Sequence, residues 1–235
     1  MNIERILGNR RQPEEEHWIS VSDLMAGLMV IFLFIAISYI QPIVETRDRI
    51  REIVVAWNDS EVDIHKALQA EFKDDLPKWN AELDRQTLSI RFKAPDVLFD
   101  PATAELKPEF ESILADFFPR YLDVLSKFKD SIAEVRIEGH TSSEWIGAAT
   151  ANEAYFNNMA LSQARTRSVL EYCLGLPTIE DKKTWARKHI TANGLSSSHP
   201  IMRDGKEDRI ASRRVEFRVR TNTKEQIVRI LESIE

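Results

Sequence analysis

An acidic residue lies inside the most apolar segment of the sequence. Residues 19–40 read ISVSDLMAGLMVIFLFIAISYI, and Asp23 is the only charged residue among them. At a rise of about 1.5 Å per helical residue, Asp23 lies roughly 6 Å inside this segment, where a carboxylate facing lipid costs about 2.5 kcal/mol or more. Carboxylates inside membranes usually serve proton or cation pathways, so Asp23 is the candidate ion-conducting residue. The alternative is that Asp23 caps the helix start or reaches the headgroups.

Small residues share the helical face of Asp23. Ala26 and Gly27 follow it by three and four residues, and Val30 follows by seven. Residues at these spacings lie on one face of a helix, and small side chains there let a second helix approach closely. We therefore expect the carboxylate to face a partner helix and not lipid.

The segment around Asp23 has the length of a membrane span, since a helix needs about 20 apolar residues to cross a bilayer. Trp18 and Tyr39 stand near its ends, where aromatic rings favour the headgroup level, and Pro42 is expected to close the helix. A cleaved signal peptide is the alternative, but its apolar run is usually about 7 to 15 residues and ends in small residues. We predict an uncleaved transmembrane helix. Equal numbers of arginines flank it closely, so loop charge gives no orientation.

The composition of the whole chain is that of a folded protein. The 235 residues suffice for one or two domains. A net charge of −6 and 43% hydrophobic residues disfavour disorder throughout and nucleic-acid binding through bulk charge. Cys173 is the only cysteine, which excludes an intramolecular disulfide and a metal site built from several cysteines.

The segment after the span is charged, lacks glycine and repeats apolar residues every seven positions, at Ile43, Ile50, Trp57 and Ile64. This spacing predicts a helix with an apolar seam. Two copies of the chain could pair along the seam, or the helix could lie on its own domain. Pro77 predicts a break before the folded domain.

Alternating and helical apolar patterns in the remaining sequence predict an α+β sheet packed on helices. The predicted strands are 88–92, 135–139, 189–194 and 213–221, and the predicted helices are 107–129 and 158–174, with Pro119 starting or kinking a turn.

An enzymatic interpretation of this domain has little support. Glu138, His140 and Glu144 could be drawn as a metal cluster, and residues 196–198 as a nucleophile loop, but no G-x-S-x-G or H-E-x-x-H spacing occurs. We predict no catalysis, no cofactor and no metal, and we expect His140 to be a structural histidine whose ring is hydrogen-bonded.

Five blocks occur in the folded part: VLFDPATAELKP (97–108), IEGHTSS (137–143), NMALSQARTRSVLEYCL (158–174), ANG (192–194) and SRRVEF (212–217). In content and order they resemble the OmpA C-terminal domain family, which binds peptidoglycan. The family's helix pattern N-x-x-L-S-x-x-R is met by Asn158, Leu161, Ser162 and Arg165. The resemblance implies an OmpA-like β-α-β-α-β-β domain.

The same resemblance implies a peptidoglycan-binding site. Arg165 would clamp a carboxylate of the diaminopimelate side chain bidentately, and Asn158 would orient the ligand. The implied site comprises Asp100, Thr141, Ser142, Glu144, Asn158, Leu161 and Arg165. For Arg165, Arg213 and Arg214 the alternative is surface ion pairing.

Two positions depart from the family pattern. Ser142 stands where the family usually has an aspartate that pairs with the ligand's ammonium group, and Glu144 is the nearby candidate replacement. Ser212 replaces the asparagine that commonly precedes the paired arginines.

The span and the domain together resemble the B subunits of ion-driven rotary motors. The flagellar MotB family has this layout, and the SDLMAGLM and GHTSS runs are more similar to the ZorB family of Zorya anti-phage systems. That resemblance implies a homodimer inside a ring of a multi-span ZorA/MotA-like partner in the bacterial inner membrane, with the C-terminal domain in the periplasm bound to peptidoglycan. The ion is a proton or sodium. A flagellar stator and a passive wall anchor remain the alternatives, and a passive anchor has no use for Asp23.

The predicted organisation has five parts. They are a short cytoplasmic N-terminus (1–18), a transmembrane helix (19–41), a helical linker (42–85), the OmpA-like domain (86–222) and a C-terminal helix (223–235).

Overall fold

The computed structural model describes residues 14–93, 98–100, 103–222 and 228, with the side chains of 14–20 and 52–59 left out. Residues 1–13 of the predicted N-terminal segment (1–18) lie outside the described residues, and its residues 14–18 are helical. The predicted C-terminal helix lies outside the described residues apart from residue 228. The chain divides into two compact units, one up to Val54 and one from Val55 onward.

Helix α1, Glu14–Phe72, begins in the N-terminal unit and ends in the C-terminal unit. Its stretch Val21–Arg51 is the one helix among the described residues that is long and apolar enough to cross a membrane, and none of its most apolar window is buried.

Pro42 lies inside α1 and does not end it. A proline lacks the backbone N–H that would bond the carbonyl four residues earlier, here that of Ser38. Two hydroxyls add bonds to other carbonyls nearby: Ser38 donates to the Phe34 carbonyl at 2.8 Å, and Thr46 donates to the Pro42 carbonyl at 2.7 Å. The helix continues where the sequence suggested a stop.

The end of α1 belongs to the core of the C-terminal unit. Ile64, Leu68 and Phe72 are fully buried there. Ile64, the last residue of the predicted seam, thus packs on its own domain and not on a second copy of the helix. After Phe72 the chain turns at residues 73–80, so the break comes slightly before Pro77.

The C-terminal unit contains a five-stranded sheet in the order β1-β2-β7-β3-β4. The strands are β1 (Ala81–Asp84), β2 (Ser89–Phe92), β3 (Ile132–His140), β4 (Ile190–Gly194) and β7 (Arg214–Thr221), and a separate hairpin is formed by β5 (Met202–Arg203) and β6 (Lys206–Glu207). Only β3 and β4 run parallel, and the other pairs in the sheet are antiparallel.

Strand β1 lies inside the segment predicted as helical linker. Its sequence, AELD, has the composition of a helix and pairs as a strand only because β2 lies beside it. The connecting turn is held by the Asp84 carboxylate, which accepts the backbone N–H groups of Gln86 and Thr87 at 2.8 and 3.1 Å. Tertiary pairing overrides local propensity here.

Among its described residues, the C-terminal unit also contains the α-helices α2 (Pro108–Ser126), α3 (Ala151–Gly175), α4 (Lys183–His189) and α5 (Arg209–Ser212). Helix α3 begins seven residues before its predicted start because Thr150 caps it, accepting the Glu153 backbone N–H at 3.1 Å. Helix α2 continues through Pro119, where its buried face holds the chain in place.

Aromatic side chains form the centre of the core between the helices and the sheet. Phe117 is the hub, with its ring centroid 4.9 Å from that of Tyr121, 5.0 Å from that of Phe217 and 5.2 Å from that of Phe92. These residues come from α2, β7 and β2, so one cluster joins both layers. The predicted α+β class, with an N-terminal apolar helix, is confirmed.

Candidate functional site

Asp23 lies on the exposed surface of α1, as do Ala26 and Gly27 one turn farther on. A Cβ atom placed on Gly27 would meet nothing within 4 Å. The face that the sequence assigns to a partner helix is therefore open in the single chain. The roles of Asp23 and of this face stay predictions.

The candidate wall-binding residues lie in the C-terminal unit, where α3 crosses the ends of β3 and β4. A Cβ atom on Gly139 would be 2.6 Å from Cγ2 of Thr166, and one on Gly194 would be 2.3 Å from the backbone nitrogen of Gln163. Only glycine permits so close an approach. The contact places the polar face of α3 beside the loop that follows β3.

Asn158 organises that loop. Its side-chain Nδ2 donates to the backbone carbonyls of Ser142 and Glu144, at 3.1 and 3.2 Å. The start of the loop is fixed on its other side by the Thr141 backbone N–H, which donates to the Ser196 carbonyl at 2.9 Å. Asn158, Thr141 and Ser142 are all buried. The amide expected to orient a ligand thus holds the backbone of the site.

Arg165 lies one turn beyond the half-buried Leu161 and contacts the segment before α2. Its Nε donates to the Thr103 carbonyl at 2.8 Å and its Nη2 donates to the Asp100 carbonyl at 3.4 Å. The guanidinium also lies 4.7 Å from the centroid of the Phe99 ring. Asp100 therefore meets Arg165 through its backbone, and its side chain is exposed.

A narrow cleft lies beside Arg165, with a cavity volume of about 10 Å³. It is lined by Leu98, Phe99, Gly139, His140, Ser162, Arg165, Arg214 and Val215. Four of the five sequence blocks contribute to this lining, so the fold brings distant parts of the chain together at one place.

The hairpin β5–β6 and helix α5 add two residues that the sequence did not single out. The Glu207 carboxylate accepts the backbone N–H of Ser143 at 2.9 Å and also accepts its hydroxyl. Arg209 donates to the Glu144 carboxylate at 2.8 Å. Both lie in a run of alternating charges that looks like a solvated loop, and sequence spacing gives no sign that they reach residues 143 and 144.

Arg214 is buried and ion-paired. Its Nε donates to the Glu216 carboxylate at 2.6 Å, and its Nη1 donates to the carbonyls of Ser212 and His199 at 3.0 and 3.3 Å. Burial acts to raise the pKa of Glu216, but Arg214 and Arg91 outweigh it and lower that pKa to about 2. Arg213 is half-buried and donates to the Arg209 carbonyl at 3.2 Å.

His140 is buried beside this pair, and neither of its ring nitrogens has a hydrogen-bond partner among the described residues. The expectation of a hydrogen-bonded structural histidine is therefore wrong. Burial lowers its pKa despite the opposing effect of nearby Glu138. Ser196, from the proposed nucleophile loop, donates its hydroxyl to the Tyr155 carbonyl at 2.7 Å.

Comparison with known proteins matches residues 98–214 to the OmpA family. Among solved structures, the cell wall anchor of the T6SS from Pseudomonas aeruginosa is 25% identical, with a TM-score of 0.46 over 66% of this chain and 96% of that one. A putative MotB like protein from Desulfovibrio vulgaris is 23% identical, with a TM-score of 0.46 over 72% of this chain and 93% of that one.

A full-length relative carries more weight than these partial matches. The Zorya protein ZorB of Escherichia coli is 48% identical over 234 residues, which cover 98% of this chain and 100% of the relative. The alignment includes both the apolar helix and the OmpA-like domain. The chain therefore belongs to the family of the Zorya protein ZorB.

Proposed function

We propose that this protein is the ion-conducting, peptidoglycan-anchored B subunit of a proton- or sodium-driven rotary motor in an anti-phage defence system. It crosses the bacterial inner membrane once and places its C-terminal domain in the periplasm. The observation that carries the proposal is Asp23, an acid on the exposed face of an apolar helix that is joined to an OmpA-like domain. The role is not catalytic.

The partners follow from the open face of α1. An exposed carboxylate flanked by Ala26 and Gly27 is unfavourable in lipid and favourable against a closely packed helix. A ring of a multi-span ZorA/MotA-like subunit supplies such helices, and a second copy of this chain completes a homodimer inside the ring. As those helices move, Asp23 takes up an ion on one side and releases it on the other.

Wall binding uses the cleft beside Arg165. A carboxylate of the wall peptide replaces the carbonyls of Thr103 and Asp100 on the guanidinium, because a charge-assisted bidentate bond is stronger than bonds to neutral carbonyls. Asn158 keeps the 141–144 loop in place beside the ligand. Glu144 remains the predicted partner of the ligand's ammonium group, and Arg209 competes for it.

Substitution of Asp23 tests the motor. Asparagine is nearly isosteric but cannot bind and release a proton or carry negative charge, so Asp23→Asn should abolish ion flux and phage resistance at unchanged membrane expression. Asp23→Glu keeps the carboxylate and should retain part of both. The control, Ser38→Ala, removes a hydroxyl on the same helix that bonds only locally in the described structure. Normal flux and phage plating with Asp23→Asn would leave only a passive wall anchor.

A further inference from the structure

Two glutamates face each other across the centre of the sheet. Glu138 of β3 is paired in register with Glu216 of β7, and His140 follows two residues after Glu138 on the same face. The side chains of Glu138, His140 and Glu216 are only 5%, 3% and 4% exposed. Like charges directly opposite in a sheet repel, and burial strengthens the repulsion, so this site requires cations.

The nearby arginines compensate the two carboxylates unequally. Glu216 accepts hydrogen bonds from Arg214 at 2.6 Å, from Arg91 at 2.9 Å and from the Ser89 hydroxyl at 3.0 Å. Oε2 of Glu138 lies 3.7 Å from Nη1 of Arg218, which is longer than a hydrogen bond. Glu138 is therefore the less well neutralised of the two.

His140 points an unused nitrogen between these carboxylates. Its Nε2 lies 3.8 Å from Oε2 of Glu138 and 3.8 Å from Oε1 of Glu216, and both ring nitrogens lack hydrogen-bond partners among the described residues. Buried polar atoms in native proteins are normally satisfied, so an unpaired buried imidazole needs an explanation.

The spacing suits a transition-metal ion. The three ligand atoms lie within 4.8 Å of one another, and atoms bound at about 2.1 Å to a tetrahedral zinc ion are roughly 3.4 Å apart. A second imidazole, that of the exposed His199, has its ring centroid 6.2 Å from that of His140. Imidazole and carboxylate ligands together favour Zn²⁺ over Mg²⁺ or Ca²⁺.

We propose that Glu138, His140 and Glu216 bind one divalent transition-metal ion, with His199 as the fourth ligand. Oε1 of Glu216 already accepts from two guanidinium groups, so binding requires it to exchange one of them for the ion. Glu138 and His140 are then the principal ligands. This site is separate from the ion pathway at Asp23, and it borders the proposed wall-binding cleft, which His140 also lines.

The test uses the full-length protein in detergent, stripped with a chelator and titrated with Zn²⁺. We expect one ion per chain by elemental analysis, and a visible absorption band typical of tetrahedral coordination when Co²⁺ replaces Zn²⁺. His140→Gln should weaken Zn²⁺ binding at least tenfold and remove the Co²⁺ band. His189→Gln is the matched control, because His189 stacks on Trp185 in α4 with its Nδ1 at 3.0 Å from the Trp185 carbonyl.

A second variant keeps the test decisive if His140→Gln fails to fold. Glu138→Gln is isosteric, so it should fold, and Zn²⁺ should raise the melting temperature of the unmodified protein but not that of Glu138→Gln. His199→Gln should weaken binding by a smaller factor. Absence of stoichiometric Zn²⁺ in the unmodified protein, or equal Zn²⁺ affinity in Glu138→Gln, would overturn the proposal.

Discussion

At the scale of single residues, the candidate wall-binding site divides into residues that hold the backbone and one residue that contacts a cleft. Asn158 uses both N–H bonds of its amide on the loop after β3. Arg165 instead donates to the Thr103 carbonyl and lines the narrow cleft. In the helix pattern N-x-x-L-S-x-x-R, the first residue, Asn158, therefore holds the loop backbone, and the last residue, Arg165, places a cation at the cleft.

Arg165→Ala should weaken binding of the protein to isolated sacculi. Loss of a charge-assisted hydrogen bond costs about 1.5 to 3 kcal/mol, which is roughly a tenfold or greater loss of affinity. The measurement is co-sedimentation of the detergent-solubilised protein with sacculi over a range of sacculus concentrations.

Arg167→Ala is the matched control for this experiment, since Arg167 is exposed on the same helix and pairs with Glu171 at 2.9 Å. It should bind sacculi normally. Equal binding by the Arg165 and Arg167 variants would place the wall-binding site elsewhere on the domain.

The position at which Ser142 replaces the family's aspartate is buried. Ser142 is 6% exposed, so a carboxylate there would lose most of its hydration. The neighbouring loop residues instead meet charges from outside the family blocks, with Glu207 on Ser143 and Arg209 on Glu144. The β5–β6 hairpin and α5 thus provide part of the charge around this loop.

At the scale of elements, two glycines in the strands beneath α3 let the helix lie close to the sheet. Gly139 and Gly194 are register partners on the parallel strands β3 and β4, and both lie against the helix. The helix carries Asn158 and Arg165, so this contact sets the height of both side chains above the sheet.

Gly194→Ala should therefore destabilise the protein. The added Cβ would lie 2.3 Å from the backbone nitrogen of Gln163, and backbone cannot move aside as a flexible side chain can. Overpacking of this kind costs about 1 to 3 kcal/mol. The measurement is the urea midpoint of the C-terminal unit in the full-length protein.

Gly175→Ala serves as the control, because a Cβ at Gly175 meets nothing within 4 Å. It should leave stability unchanged or raise it by about 0.4 to 1 kcal/mol, through the smaller entropy of the unfolded chain. Unchanged stability in Gly194→Ala would contradict the close packing of α3 on β4.

At the scale of the whole molecule, the last turns of α1 are part of the C-terminal unit. Leu68 and Phe72 are buried in its core, and Arg120 of α2 donates to Glu71 at 2.7 Å and to Asp75 at 3.0 Å. The proposed function requires the C-terminal unit to hold the end of this helix under load. These contacts are the points at which the domain holds the helix end.

Leu68→Ala should loosen that attachment. Truncation of a fully buried leucine costs about 2 to 5 kcal/mol through lost burial and the cavity left behind. Hydrogen exchange should accelerate in residues 60–72 before the rest of the unit. Gln69→Ala, at an exposed neighbouring position, should change stability by no more than about 0.5 kcal/mol. Slow exchange of residues 60–72 in Leu68→Ala would refute this attachment.

The sequence by itself determined the features that depend on local pattern. A long apolar run, alternating strands and amphipathic helices follow from the periodicity of hydrophobic residues, so the α+β class and the apolar helix were predictable. The five blocks also identified the family and indicated Asn158 and Arg165, because spacing along a helix fixes which residues share a face.

Only the tertiary structure decided the features that depend on neighbours distant in sequence. The segment AELD forms strand β1 because it pairs with β2, and α1 continues through Pro42. Ile64 packs in the core of its own C-terminal unit. Glu207 contacts Ser143 and Arg209 contacts Glu144, although 64 and 65 residues separate them along the chain. Glu216 lies beside His140 across 76 residues. No local pattern in the sequence reveals the strand register, the hairpin and the helix that bring these residues together. Spacing linked His140 to Glu144, whereas strand pairing joined it to Glu216, because side chains meet according to the register of the sheet and not according to their distance along the chain.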